Sequence, residues 1–499
     1  MGTQAPGEPV VDNPTYLGNI RYFFEKDDIE HMAAKGIDLS TYDGVKGKAG
    51  PVYIHTLQPD GDMPPDPARK WSAERSQTFK NWILNRFPMG TAPAPTEGAK
   101  PLVAAAVPTR LRKNVTKLGQ PEIDVLTKAF KGIMAKDPSD PNSYCALAGI
   151  HGLPQSFCLH HEDRFNPWHR VYLKTFEDAL RSVPGCENVT LPYWDIKTPI
   201  PALLQSSPFD SYVVPIDLGP GYGANYKTKR DSQTKIDQKL AMFDVINDLD
   251  TALTQSLWGA SGNTPSGFQY FSIAGHDGGH SSIGPAMGDQ NVSSYDPIFW
   301  FFHCNLDRHW LSWQTNVGAT TLTGFKSTLK GSTDWLSDPV IYALSPWTMT
   351  ADATIEDYAG IGYDQLMGVP AVMAAAFENK VGSLDASRSF TIRRSTPVSV
   401  QVKNIDRLNI PGSFSVTLLA DGEAVARRAF FQPNKPRDCA TCRKIGLVSL
   451  NFRVPADKIL DKKLSVAIDV LNQENIGTRF PLSSAGNPTI NVRLLLEDN

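Results

Sequence analysis

Four of the chain's ten histidines fall in one short stretch, "IHGLPQSFCLHHEDRFNPWHRVYL", which runs from Ile150 to Leu173. Imidazoles at that density restrict the fold, because the segments on either side must aim them somewhere. In "NPWHRVYLKTFEDAL", Asn166 reads as a helix N-cap and Pro167 as the first helical residue. His169 then sits in the first turn. "DPIFWFFHCNLDRHWLSW" repeats the start signal with Asp296 and Pro297, and places His303 two turns into a second helix. A third segment, "AGHDGGHSSIG", spaces His276 and His280 at i, i+4, on one face of a helix. Gly278 and Gly279 weaken that helix, so the segment implies close approach of another group.

A lone histidine is ordinarily a surface or satisfied core residue, and His31, His55 and His309 are read that way. His160 and His161 are adjacent and point in different directions, so one of them joins the site that His169 reaches. The set is then three imidazoles upstream (His151, one of His160 and His161, His169) and three downstream (His276, His280, His303). Imidazole suits zinc, copper, iron and nickel. An iron facial triad needs a carboxylate, and none stands at an obvious ligand spacing. A hydrolytic zinc site wants one triad with an open position. Two all-imidazole triads suit a pair of copper ions with dioxygen bound between them.

The remaining sequence bounds the setting. The 499 residues are too many for one ordinary core. A net charge of −3 without a long basic run argues against a nucleic-acid partner. No apolar run is long enough to span a membrane. The start, "MGTQAPGEPVVDNP", lacks the pattern of a signal peptide, so the expected location is cytoplasmic, or exported without a recognisable signal. Residues 15–95 carry helix-like patches, such as "SAERSQTFKNWILNRF" with Ser72 as N-cap. Residues 92–112 read as a loop, as do 200–230 and 258–295. Near residue 385 the period changes. Val398, Val400 and Val402 alternate, as do Phe414, Val416 and Leu418, and Val448, Leu450, Phe452 and Val454. Period-two runs at short spacing predict an antiparallel sandwich. The expected organisation is a mainly α core at 1–350, a four-helix bundle with long loops behind an N-terminal helical extension, then a linker at 351–384 and an all-β, sandwich-like domain at 385–499.

"IHGLP", "CLHHEDRFNPWHR" and "DPIFWFFHCNLDRHW" resemble the copper signatures of the type-3 copper family of tyrosinases, catechol oxidases and haemocyanins. The resemblance covers about 140–315. It implies two coppers, one held by His151, His160 and His169 and the other by His276, His280 and His303. The family spaces two ligands of the first copper so that His160 is selected over His161. It further implies a thioether between Cys158 and His160, dioxygen as co-substrate and small phenols as substrates. Phe302 replaces a histidine frequent in the family, which implies altered packing beside the ligands. Asp277 follows the first ligand of the second copper; it reads either as a base for the phenol or as a helix-start carboxylate.

"FSVTLLADGEAVARRAFFQPNKPRDCATCRK" resembles the C-terminal domain of fungal and some bacterial pro-tyrosinases. That resemblance implies a domain covering the copper site, with Phe430 or Phe431 filling the substrate pocket and Cys439 and Cys442 helping to load copper. By itself a CxxC is equally half a zinc site, a redox pair or a structural disulfide. The functional expectation is a tyrosinase or polyphenol oxidase, latent through its own C-terminal domain. The alternatives are a catechol or o-aminophenol oxidase without monophenolase activity, and an oxygen carrier like haemocyanin. A homo-oligomer is compatible with any of these.

Overall fold

A computed structural model describes residues 10–90, 110–370, 397–471 and 478–494, apart from 25, 34–36, 58–62, 65–69, 86, 260–266, 339–341 and 357. The chain divides into two compact units, Met1–Ala104 and Ala105–Asn499.

Among the described residues, the first unit holds four α-helices: α1 (Lys26–Ala33), α2 (Tyr42–Gly47), α3 (Ala49–Thr56) and α4 (Ala73–Leu84). Ser72 caps α4 as its sequence requires, its hydroxyl accepting from the Arg75 N–H. Trp71, Phe79 and Trp82 form an aromatic core with Phe24 and Tyr16.

The second unit opens on a short strand, β1 (Arg110–Arg112), inside the stretch read as a loop; it pairs in parallel with β2 (Ile361–Tyr363). Residues 351–370, in the segment read as a linker, thus include a strand laid on the core; 371–396 lie outside the described residues. The helices are α5 (Gln120–Met134), α6 (Tyr144–His151), α7 (Phe165–Arg181), α8 (Gln233–Met242), α9 (Val245–Thr254), α10 (Phe268–Ile283), α11 (Ile298–Val317) and α12 (Leu322–Lys326). Helices α6, α7, α10 and α11 surround the histidines, with α5 and α9 packed outside them.

Two local readings need correction. Helix α7 begins one residue before Asn166, with Arg164 at the cap position, so Asn166 lies inside the first turn. The stretch 258–295 contains all of α10, which runs through its glycines. Tertiary packing overrides their poor propensity. A Cβ at Gly279 would stand 2.7 Å from the Phe302 ring, and one at Gly275 would stand 2.6 Å from Leu249. The missing side chains let α9 and α11 approach.

The C-terminal part is an antiparallel sandwich. Strands β3 (Pro397–Asp406), β6 (Leu447–Pro455) and β9 (Thr489–Leu494) form one sheet in the order β6-β3-β9. Strands β4 (Phe414–Ala420), β5 (Glu423–Phe430), β7 (Leu464–Val470) and β8 (Thr478–Phe480) form the other, in the order β5-β4-β7-β8. Asp421 and Gly422 turn the β4–β5 hairpin with φ of +51° and +86°, as a tight hairpin turn requires. The alternating Val398, Val400, Val402, Phe414, Val416 and Leu418 all enter one core shared by both sheets. The short helix α13 (Ala440–Lys444) follows β5. Strand β5 lies on α8 and α10, so the sandwich is docked against the helical core.

Candidate metal centre

Six buried histidines converge between the helices. His151 is the last residue of α6, His169 lies on α7, His276 and His280 on α10, and His303 on α11. His160 sits on the irregular segment between α6 and α7. The candidate ligand nitrogens of His276, His280 and His303 all lie within 4.8 Å of one another. Those of His151 and His160 group in the same way with the Cys158 sulfur. The His169 ring stands 5.3 Å from His160 and 5.6 Å from His151, centroid to centroid. The two sets face each other, with His160 5.2 Å from His276 and His169 stacked on His303 at 4.5 Å.

Hydrogen bonding decides which nitrogens are free. Nδ1 of His169 lies 2.8 Å from the Phe165 carbonyl, and Nδ1 of His280 lies 2.8 Å from the Met287 carbonyl. A carbonyl only accepts, so each Nδ1 carries the proton and each Nε2 presents a lone pair. Asp277 Oδ1 lies 2.9 Å from Nδ1 of His276; as a carboxylate it accepts from that nitrogen and leaves Nε2 for a metal. Nε2 of His169 and His276, both nitrogens of His151 and His160, and Nδ1 of His303 have no hydrogen-bond partner. Unpartnered polar atoms at this depth are costly, and ligation of an ion satisfies one nitrogen of each ring. Nε2 of His280 and Nε2 of His303 are 3.0 Å apart; two nitrogens each ~2 Å from one ion lie about that far apart. Burial pushes the imidazoles of His169 and His280 down to about 3, so both are neutral, the form that binds metal. The donor set therefore fits two coppers.

The ligands are held rigidly. Arg170, next to His169, donates from Nε to Asp307 Oδ1 at 2.6 Å, tying α7 to α11 one turn beyond His303. Its guanidinium also lies 3.7 Å above the Trp310 ring. Phe302 occupies the space left by Gly279 and meets His280 edge-on at 5.3 Å. Cys158 is buried, a free thiol in the structure, and accepts from Gln290 Nε2 at 3.0 Å.

A segment of the sandwich enters the mouth of this site. The Phe431 ring stacks on His280 at 4.2 Å and meets His160 and His276 edge-on, each at 5.5 Å. Its N–H donates to Asp277 Oδ2 at 3.1 Å, and its carbonyl lies 3.0 Å from Nε2 of His161. Phe430 belongs to the sandwich core, between Phe414 and the guanidinium of Arg407, with its outer face on His161. Of the two aromatic candidates, only Phe431 reaches the six histidines. Asp277 is nine residues into α10, so a helix-start role does not apply. Burial raises its carboxyl well above the ordinary range, opposed by the Phe431 N–H and by Arg407.

Sequence reasoning expected the sandwich over the site but missed the charged contact that anchors it to the core. Arg428 on β5 is paired with Asp248 and Asp244 and donates to the Phe243 carbonyl at 3.1 Å. An arginine in a β-strand gives no sign of a partner on a distant helix. It also passed over His161, whose backbone is left-handed at φ +60°. That conformation turns its ring away from the metal ligands. Cys439 and Cys442 are joined in a disulfide, so in this form they offer copper no thiolate.

Residues 141–316 match the family model described as the common central domain of tyrosinase. The chain is 30% identical over 222 residues to haemocyanin units G and H of Sepia officinalis, covering 41% of this chain and 38% of that protein. It is 25% identical over 252 residues to a tyrosinase of Hahella sp., covering 42% of this chain and 54% of that one. The matched region is thus less than two thirds of either relative. Among solved structures, a tyrosinase from Burkholderia thailandensis superposes with a TM-score of 0.57 at 21% identity, over 77% of this chain and 100% of that one. A functional unit of octopus haemocyanin does so with a TM-score of 0.56 at 20% identity, over 77% of this chain and 99% of that one. Residues 141–316, with two facing histidine triads, are thus similar to the central domain of tyrosinase and to haemocyanin units.

Proposed function

We propose that the chain is a phenol oxidase of the tyrosinase or catechol oxidase type, held latent by its own C-terminal sandwich. His151, His160 and His169 hold one copper, and His276, His280 and His303 the other. When bound, the copper pair supplies oxidation of a phenol by dioxygen. The chain's residues do the rest: Phe165, Met287 and Asp277 fix the imidazole tautomers, the aromatic walls exclude water, and the mouth orients one aromatic ring.

The observation that carries the reading is the Phe431 ring, seated over the copper histidines where a flat aromatic substrate would lie. A carrier needs a dioxygen site but no place for a phenol. For a free phenol without main-chain amides, Asp277 is the candidate to accept the phenolic proton once Phe431 leaves its Oδ2; burial raises its affinity for that proton, opposed by Arg407. A Cys158–His160 thioether would lock one ligand ring in place, and Cys439 with Cys442, once reduced, would suit delivery of Cu(I).

The test is turnover of 4-methylcatechol and 4-methylphenol per bound copper, before and after the sandwich is released. A rise for both supports a tyrosinase; a rise for the catechol alone supports a catechol oxidase. The similarity to haemocyanin units keeps a carrier in view. Reversible oxygenation with no turnover in either state would establish that instead.

A further inference from the structure

The mouth of the site grips Phe431 by its main chain as well as by its ring. We propose that the substrate class is a phenol carried on a polypeptide: a tyrosine residue, or its hydroxylated form, flanked by main-chain amides. This rests on the oxidase reading above and narrows it.

Two groups of the core read Phe431 as an amino-acid residue, and a third reads its ring. Asp277 Oδ2 accepts from its N–H at 3.1 Å. Nε2 of His161 stands 3.0 Å from its carbonyl, which only accepts, so that nitrogen carries the proton and donates. His280 stacks under its ring. The backbone of His161 is held left-handed, an unfavourable conformation for a side chain of this size, and it delivers the ring to this contact. The mouth also admits chain on both sides. Phe430 precedes Phe431 against His161, and Asn434 follows, its Nδ2 donating to the Tyr222 hydroxyl at 2.7 Å. A tyrosine residue differs from Phe431 by one oxygen at the ring's far end. A small phenol uses the ring position and leaves Asp277 and His161 without main-chain partners.

The reaction balances with dioxygen alone. A diphenol residue gives up two electrons and two protons; half a dioxygen takes them to form water, and an o-quinone residue remains. A monophenol residue and one dioxygen give the same quinone and one water.

The test compares kcat/KM for N-acetyl-dopa N-methylamide, free dopa and 4-methylcatechol on the copper-loaded full chain. The chain is opened by Arg428→Glu or, if that variant does not fold, by dilute detergent. The fraction of open molecules scales every apparent constant equally, so it cancels from the ratios. Two hydrogen bonds to the main chain should favour the amide over 4-methylcatechol by on the order of tenfold. The amide should also exceed free dopa. His161→Gly, which suits a φ of +60°, should cut the preference severalfold. Equal constants for the amide and 4-methylcatechol, a preference for free dopa, or a ratio untouched by His161→Gly would each overturn the proposal. No oxidation of 4-methylcatechol at all would instead overturn the oxidase reading, and this narrowing with it.

Discussion

The Phe431 ring lies on the His280 imidazole with centroids 4.2 Å apart and planes 23° from parallel. One of these residues belongs to the sandwich and the other to the helical core. The contact therefore joins the state of the C-terminal part to access to the metals. Because both parts share one chain, the effective concentration of the plug is on the order of millimolar. Phe431→Gly should raise catechol turnover per copper severalfold without cleavage. Phe430→Ala should act differently: it empties a core position and should destabilise the sandwich by about 3–5 kcal/mol. Unchanged turnover in Phe431→Gly would remove the plug from the account.

The ligand assignment predicts copper content. His280→Ala and His169→Ala should each lower bound copper from two toward one per chain and abolish turnover. His161→Gly should keep both coppers, since its Nε2 is directed at the Phe431 carbonyl and it belongs to neither triad. Metal analysis of purified variants checks this. Two coppers and full turnover in His280→Ala would refute the assignment.

The thiol of Cys158 is pushed up to about 12 by burial, so in copper-free protein it should alkylate slowly and stay unlinked. After loading with copper in air, a digest should contain a Cys158–His160 peptide lighter by two hydrogens. Complete alkylation of Cys158 in active, copper-loaded protein would rule the link out.

Arg428 supplies the main charged anchor of the sandwich, facing Asp248 and Asp244 across the contact. Removing one partner of a buried pair leaves the other uncompensated, at a cost of roughly 3–5 kcal/mol. Arg428→Ala should loosen docking, raise catechol turnover severalfold and expose the inter-domain contact to protease. Turnover and protease resistance equal to the parent chain would show that apolar contact alone holds the sandwich down.

Acid should destabilise the copper-free chain. An unfolded imidazole protonates near 6.5, whereas burial pushes His169, His280 and His309 down to about 3 in the folded chain. Their contribution is fully present above pH 6.5 and is lost as pH falls toward 3. Between pH 7 and pH 5 the loss is about 2 kcal/mol for each group. Thermal melts of copper-free protein at those two pH values measure it; an unchanged Tm would mean that these rings are already solvated.

The sequence by itself determined the histidine-rich site and the two fold classes. Histidine spacing around helix-start signals marked out two imidazole triads, because ligand geometry on a helix is a local property, and the family resemblance chose His160 over His161. Period-two alternation marked the sandwich, because the sides of a strand follow from the strand's own residues. What only the tertiary structure decided lies in contacts between segments far apart in the chain. Glycines of α10 that look like helix breakers are clearances for Phe302 and Leu249. Phe430 and Phe431 are indistinguishable as neighbouring aromatics, yet one fills the sandwich core and the other enters the site, since adjacent residues leaving a strand face opposite ways. His161 and Asp277 meet around the Phe431 main chain, 270 and 154 residues away in sequence. No local pattern encodes that meeting, because it depends on where a separately folded sheet docks.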